Sequence, residues 1–160
     1  MKLDKKKLLI IVAAVLAVAA VVAVSAVFIN QHKYSKHTFE YMDEGFSWDM
    51  TKEEAAKYIE KYTVQPWRTI DVTENEVEDG FYHFDFDSDG KLYRVRFNMG
   101  MDRSIVETLN EWFGEYDKHT TSKYGSFGYY YWYGMMEGKK TRALLYCPDS
   151  TVYLHFELEE

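Results

Sequence analysis

The feature that most constrains this chain is an uncharged apolar segment near its start, residues 8–29, which reads LLIIVAAVLAVAAVVAVSAVFI. Its only polar side chain is the hydroxyl of Ser25. A helix of this length spans about 30 Å of hydrocarbon. A helix packed on a soluble core would need a polar face toward water, and this segment has none. The sequence therefore predicts a transmembrane helix over residues 8–29.

Lysines flank this segment unequally, with four before it and two, Lys33 and Lys36, after it. The excess predicts a cytoplasmic segment 1–7 and a single-pass protein of the cell membrane, with the C-terminal domain on the extracytoplasmic side. The alternative is a cleaved signal peptide, since small residues permit cleavage after Ala26. An apolar region longer than the usual length of about 7–15 residues favours an uncleaved signal anchor.

The polar residues 30–37, NQHKYSKH, are predicted to form a stalk before a domain over residues 38–160. Residues 1–37 contain six lysines and one aspartate, so the other 123 residues account for a charge of −12 within the total of −7. A domain this acidic repels phosphate backbones, which argues against nucleic acid as a partner. With 18% aromatic residues in the full sequence, the chain is too apolar for disorder.

The domain repeats one pattern of a helix followed by strands. In FSWDMTKEEAAKYIEKY, residues 46–62, Thr51 and Glu54 form a capping box that predicts a helix. Strands are predicted at 67–73, 81–86 and 92–99, the last two joined by the turn at 87–90.

The pattern then restarts with a second box, Ser104 and Glu107. The helix that follows has an apolar stripe that includes Leu109 and Trp112. Strands are predicted at 129–135, 141–147 and 152–158. The expected fold is α+β, with two helix–β–β–β units, 46–100 and 101–160, and an antiparallel sheet.

The segment FSWDMTKEEAAKYIEKY resembles the W-G-M-S-x-E-E-V opening of small extracytoplasmic α+β domains of the SmpA/OmlA and beta-lactamase-inhibitor-protein type. The chain departs from that pattern with Asp49 in place of glycine and with a membrane helix in place of a lipid anchor. The resemblance implies docking onto protein partners. The first unit also resembles a PepSY domain, through KEEAAKYIEKY followed by GFYHFDFDSDGKLYRVRF.

The stretch GYYYWYG, residues 128–134, is the most unusual motif of the domain. Alternation places Tyr130 and Trp132 on one face of the sheet and the other three tyrosines on the opposite face. The large area that tryptophan buries favours the first pair for the core, and the reverse assignment is the alternative. The opposite face would combine aromatic and basic side chains, as protein-binding surfaces do. The candidate binding residues are Tyr129, Tyr131, Tyr133, Arg94, Arg96, His83, Tyr153 and His155.

Motifs for catalysis and cofactors are absent from the sequence, so we expect a non-enzyme without cofactor. The histidine spacing predicts no zinc site, and Cys147 is interpreted as a structural thiol. Asp85, Asp87 and Asp89 match the start of a calcium loop as an alternative to an acidic turn. The expected function is an envelope interaction module for a protein or peptide partner. The alternative is a sensor of cell-wall glycan or another small ligand.

Overall fold

The apolar segment lies in one long helix, α1 (Lys5–Tyr34). The computed structural model describes residues 5–40, 42, 44–62, 68–101, 104–121, 127–148 and 150–159. Within α1, the stretch Ala14–Tyr34 is long and apolar enough to cross a membrane, by length and composition. The side chains of residues 14–29 are exposed, so the described part of the domain leaves them free for lipid contact.

Besides α1, the described residues form two shorter helices and nine strands. The helices are α2 (Lys52–Tyr62) and α3 (Ile105–Phe113). The strands are β1 (His37–Thr38), β2 (Asp71–Val72), β3 (Glu76–Glu78), β4 (Tyr82–Phe86), β5 (Leu92–Asn98), β6 (Lys118–Thr120), β7 (Tyr129–Met136), β8 (Lys139–Tyr146) and β9 (Tyr153–Leu158).

All of these strands belong to one sheet, in the order β1-β7-β8-β9-β5-β4-β3-β2, with β6 also paired to β7. The described pairs are antiparallel except β1 with β7. The predicted α+β class with a mainly antiparallel sheet is therefore confirmed. β1 and β6 share one edge of β7, opposite residues 134–135 and 129–131 respectively.

Among the described residues, each half of the domain has a helix followed by four strands rather than the predicted three. β5 pairs with β9, so the last strands of the two halves meet inside the sheet. The unpredicted strands β3 and β6 have three residues each, too few to show the alternation that reveals a strand in a sequence. The strand predicted at 67–73 is reduced to β2, and residue 67 lies outside the described residues.

The residues predicted as a stalk, 30–37, have a different structure. α1 continues through them to Tyr34, and His37 begins β1. His37 is buried, with Nδ1 2.5 Å from the carbonyl oxygen of Phe113 and Nε2 3.0 Å from a carboxylate oxygen of Asp117. The polar composition of this segment thus serves contacts with the domain, and α1 runs directly into the edge of the sheet.

The two predicted capping boxes differ in outcome. At α2, the N–H of Thr51 donates to Glu54 Oε2 at 2.8 Å, and the N–H of Glu54 donates to Thr51 Oγ1 at 3.3 Å. At α3, Ser104 makes no side-chain capping hydrogen bond, so that box does not form. α3 ends where Gly114 takes a φ of 87°, a conformation that favours glycine.

Both α2 and α3 pack on the same face of the sheet. They bury Ile59 and Leu109 against strand residues that include Phe84, Trp132 and Phe156. Trp112, expected on the buried stripe of α3, is instead 57% exposed. The apolar stripe is wider than the side of α3 that meets the sheet, so Trp112, at the edge of the stripe, remains in solvent.

Candidate interaction surface on the open sheet face

The aromatic stretch lies in β7, whose side chains alternate between the two faces of the sheet. Trp132 is fully buried on the helix side, and Tyr130 packs against the same core. The prediction that these two residues face the core is confirmed. Tyr129, Tyr131 and Tyr133 lie on the opposite face, which α2 and α3 do not cover and which we call the open face.

Gly128 and Gly134, which bracket the aromatic stretch, let neighbouring chain segments approach β7 closely. A Cβ atom on Gly134 would lie 2.4 Å from the carbonyl oxygen of His37 in β1. A Cβ atom on Gly128 would lie 2.5 Å from the carbonyl oxygen of Thr120 in β6. Both distances are well inside van der Waals contact. The glycines therefore serve the packing of β1 and β6 on the edge of β7.

The strand register arranges the open face in rows. The first row contains Glu76, Asp85, Arg94, Glu157, Arg142 and Tyr133. The second contains Glu78, His83, Arg96, His155, Leu144 and Tyr131. A third contains Asn98, Tyr153 and Tyr146. The candidate binding residues from the sequence thus lie together on one face, as alternation predicted.

Charged side chains in the first row pair with one another. Arg94 Nε lies 2.7 Å from Asp85 Oδ2, and Arg142 contacts Glu157. Burial opposes ionisation of Asp85, but hydrogen bonds from His83 and Arg94 outweigh it and hold the pKa of Asp85 well below its ordinary value. Arg94 is therefore engaged within the sheet and supports the face rather than presenting a free cation.

His155 is a second supporting residue. It is 8% exposed, and its burial, reinforced by Arg96 and Arg94, lowers its pKa from 6.5 to about 3. The ring is therefore uncharged at neutral pH, and it packs against Tyr146 with ring centroids 4.7 Å apart. Alternation predicts the face on which His155 lies but not its depth beneath neighbouring side chains.

Tyr129, Tyr146 and Tyr153 form a tyrosine cluster on the open face. The rings of Tyr129 and Tyr146 are 6.1 Å apart and nearly parallel, and those of Tyr146 and Tyr153 are 5.7 Å apart. Burial raises the pKa of Tyr146, while a hydrogen bond with Arg96 opposes that rise. Sequence reasoning missed Tyr146, although it lies four residues after Arg142 in β8 and therefore on the same face.

The other two tyrosines of β7 contact lysines. Lys33 Nζ lies 3.6 Å from the centre of the Tyr133 ring, and Lys118 Nζ lies 5.4 Å from the centre of the Tyr131 ring. The ring of Tyr34 meets that of Tyr133 edge to face at 6.0 Å. The end of α1 therefore covers the Tyr133 corner of the open face and leaves the tyrosine cluster as its accessible aromatic part.

Two of the three aspartates of the alternative calcium loop, Asp85 and Asp87, have separate roles. Asp87 Oδ1 accepts two backbone N–H groups of the β4–β5 turn, each at 2.9 Å. Asp85 points to the open face and is engaged there. This arrangement favours an acidic turn. Potential metal-ligand atoms do converge elsewhere in the described part of the chain. They belong to Glu76, His83 and Asp85, and each lies within 4.8 Å of the other two.

A groove of about 490 Å³ on the helix side is a rival surface. Its lining is rich in aromatic side chains and consists of Glu40, Met42, Tyr58, Phe81, Tyr82, Phe97 and Trp112. Trp112 and Phe81 are its exposed aromatic members. The sequence offered no sign of this groove, because it results from the part of the α3 stripe that the sheet does not cover.

A scan of the chain against protein-family models found no match, and searches of curated proteins and of solved structures found no significant match. The resemblances to SmpA/OmlA-type, beta-lactamase-inhibitor-protein-type and PepSY domains therefore stay predictions from short motifs. Function is argued from the open face itself.

Proposed function

We propose that this protein is a membrane-anchored, extracytoplasmic interaction module that binds a protein or peptide through the open face of its sheet. The apolar segment 8–29 serves as the anchor. The lysine excess before it favours a cytoplasmic N-terminus and an external domain. The acidic domain disfavours nucleic acid, and we propose binding without catalysis.

The observation that carries this proposal is the tyrosine cluster beside Arg96 on a face that α2 and α3 leave uncovered. Tyrosine and arginine are enriched at protein-binding surfaces, because they combine a large contact area with hydrogen-bonding groups. Arg96 contacts the ring of His83 and the hydroxyl of Tyr146. It is therefore placed to donate hydrogen bonds to carbonyl groups of a partner bound on the cluster.

The two halves, 46–100 and 101–160, are interpreted as repeats of one helix-and-strand unit. Their helices align at an offset of fifty residues, which pairs Ile59 with Leu109 and Tyr62 with Trp112. Joining two units in one sheet doubles the width of the open face. A wide face suits a macromolecular partner better than a small ligand.

A small ligand such as a cell-wall glycan fragment is the second candidate, favoured by a cavity on the open face. The cavity has a volume of about 290 Å³ and is lined by Glu78, Gly80, Phe81, His83, Arg96, Asn98 and Tyr153. Aromatic rings beside hydrogen-bonding groups suit the stacking of sugars. A saturable calorimetric response of the full chain to soluble glycan fragments would favour this candidate.

The proposal is tested by crosslinking the full chain in its native membranes, followed by affinity capture and mass spectrometry. We expect a stoichiometric partner with the wild-type chain and its loss with Tyr129→Ala and Tyr146→Ala. Trp112→Ala removes an exposed aromatic side chain from the helix side and serves as the matched control. Capture that survives both tyrosine substitutions would contradict the proposal.

A further inference from the structure

We propose that Glu76, His83 and Asp85 form a binding site for one divalent transition-metal ion, with zinc as the best fit. The site lies on the open face where β3 meets β4. It does not rest on the proposed interaction function, because its ligands are outside the tyrosine cluster and its occupancy is measurable without any partner.

The backbone brings the three side chains together. β3 and β4 are antiparallel, with Glu76 opposite Asp85 and Glu78 opposite His83. His83 and Asp85 are two residues apart on β4 and therefore point to the same face. The ligands are thus held by two hydrogen-bonded strands, which fix metal sites better than loops do.

The distances between the ligand atoms suit zinc. His83 Nε2 lies 3.2 Å from Asp85 Oδ1 and 3.6 Å from Glu76 Oε2. Nitrogen and oxygen ligands about 2.0–2.1 Å from a tetrahedral zinc ion are about 3.3 Å from one another. All three ligand atoms lie within 4.8 Å of one another, so an ion fits between them once the side chains close to about 3.3 Å, with a fourth position for water. Calcium requires more oxygen ligands than the three side chains offer.

The surroundings of His83 orient it for metal binding. In the tautomer whose Nδ1–H donates to Glu78 Oε2, 2.6 Å away, Nε2 presents its lone pair to an ion. Carboxylates hold metal-binding histidines in this way at many zinc sites. Arg94 donates to the other carboxylate oxygen of Asp85 at 2.7 Å and fixes its orientation.

His83 Nε2 is buried and faces two carboxylates, those of Asp85 and Glu76, so an ion bound there would replace the His83–Asp85 hydrogen bond. Arg96 Nη2 lies 2.7 Å from Nδ1, where a guanidinium can only donate, so metal binding requires Arg96 to give way there to Glu78. Like Arg94, Arg96 also repels a cation. Three carboxylates, those of Glu76, Glu78 and Asp85, outnumber these two guanidinium groups. The side chain of Glu76 is 43% exposed, which leaves a path for an ion from solvent.

The test uses the full chain in detergent micelles, without a polyhistidine tag and after treatment with a chelator. Zinc chloride is titrated by calorimetry, and cobalt(II) is titrated by visible absorption to report the coordination geometry. We expect one ion per chain and a tetrahedral cobalt spectrum. Glu76→Gln and His83→Gln should weaken binding at least about a hundredfold, and Glu78→Gln about tenfold, as loss of an outer partner does.

Glu74→Gln, an exposed neighbour in the same turn, is the matched control and should bind zinc like the wild type. Urea melts without metal show whether each variant folds. If His83→Gln does not fold, the binding measured for Glu76→Gln decides the matter. No saturable binding to the wild-type chain would overturn the proposal. Equal binding by Glu76→Gln, or equal loss in Glu74→Gln, would also overturn it.

Discussion

Lys33 Nζ, in the last turn of α1, lies 3.6 Å from the centre of the Tyr133 ring in β7. Beside it, the hydroxyl of Tyr34 donates to Glu159 Oε2 at 2.5 Å. These contacts join the apolar helix to the sheet through packed side chains rather than through a loose linker. If α1 crosses the membrane, the membrane therefore sets the orientation of the open face.

We expect Tyr34→Ala to loosen this junction. Tyr34 is 4% exposed, and truncating a buried aromatic side chain costs about 3–5 kcal/mol. Limited proteolysis of the protein in micelles should show new cleavage near residues 31–38. His32→Ala changes an exposed residue of the same turn and should leave the pattern unchanged. A protected junction in Tyr34→Ala would show that α1 and the sheet do not pack as described.

Gly134→Ala should displace β1 from β7. The added Cβ atom would meet the carbonyl oxygen of His37 at 2.4 Å, so the strands must separate. Overpacking of this kind costs about 1–3 kcal/mol. The amide of Phe39, which donates to the Met135 carbonyl oxygen at 2.8 Å, should exchange faster with deuterium. Thr38→Ala, at an exposed position of β1, is the control, and unchanged exchange in Gly134→Ala would count against the β1–β7 pairing.

Leu109 and Trp112 of α3 should differ sharply in their effect on stability. Leu109 is fully buried, so Leu109→Ala should lower the free energy of unfolding by about 2–5 kcal/mol. Trp112 is 57% exposed, and Trp112→Ala should cost about 1 kcal/mol or less. Urea denaturation of the two variants makes the comparison. A larger loss for Trp112→Ala would mean that the buried side of α3 is misassigned.

The buried, uncharged His155 predicts a loss of stability in acid. Its pKa is about 3 in the folded chain and 6.5 when unfolded, so the unfolded state binds the proton more tightly. The contribution is therefore complete above about pH 6.5 and is lost as the pH falls toward 3. His155→Gln should flatten the free energy of unfolding in that range, measured by urea denaturation at a series of pH values. Identical pH profiles for variant and wild type would contradict the burial of an uncharged ring.

Much of the sheet was predictable because period-two alternation is strong in β4, β5, β7 and β9. The same alternation placed the candidate binding residues on one face. It gave no sign of β1, whose pairing with β7 depends on Gly134 and on a segment that reads as a polar stalk. Nor did it show the approach of Glu76 to His83, since cross-strand neighbours are set by register and not by spacing along the chain. The box at Ser104 failed because the motif permits a capping hydrogen bond without requiring one.

The most direct test of the central claim is site-specific photocrosslinking in intact membranes. A photoreactive residue is placed at Tyr129, within the tyrosine cluster, or at Trp112, beside the groove on the helix side. Because both positions are exposed, the two variants differ mainly in the face of the sheet from which they can crosslink. We predict one specific adduct from position 129 and none from position 112. An adduct from position 112 alone would contradict binding through the open face and would assign it to the groove.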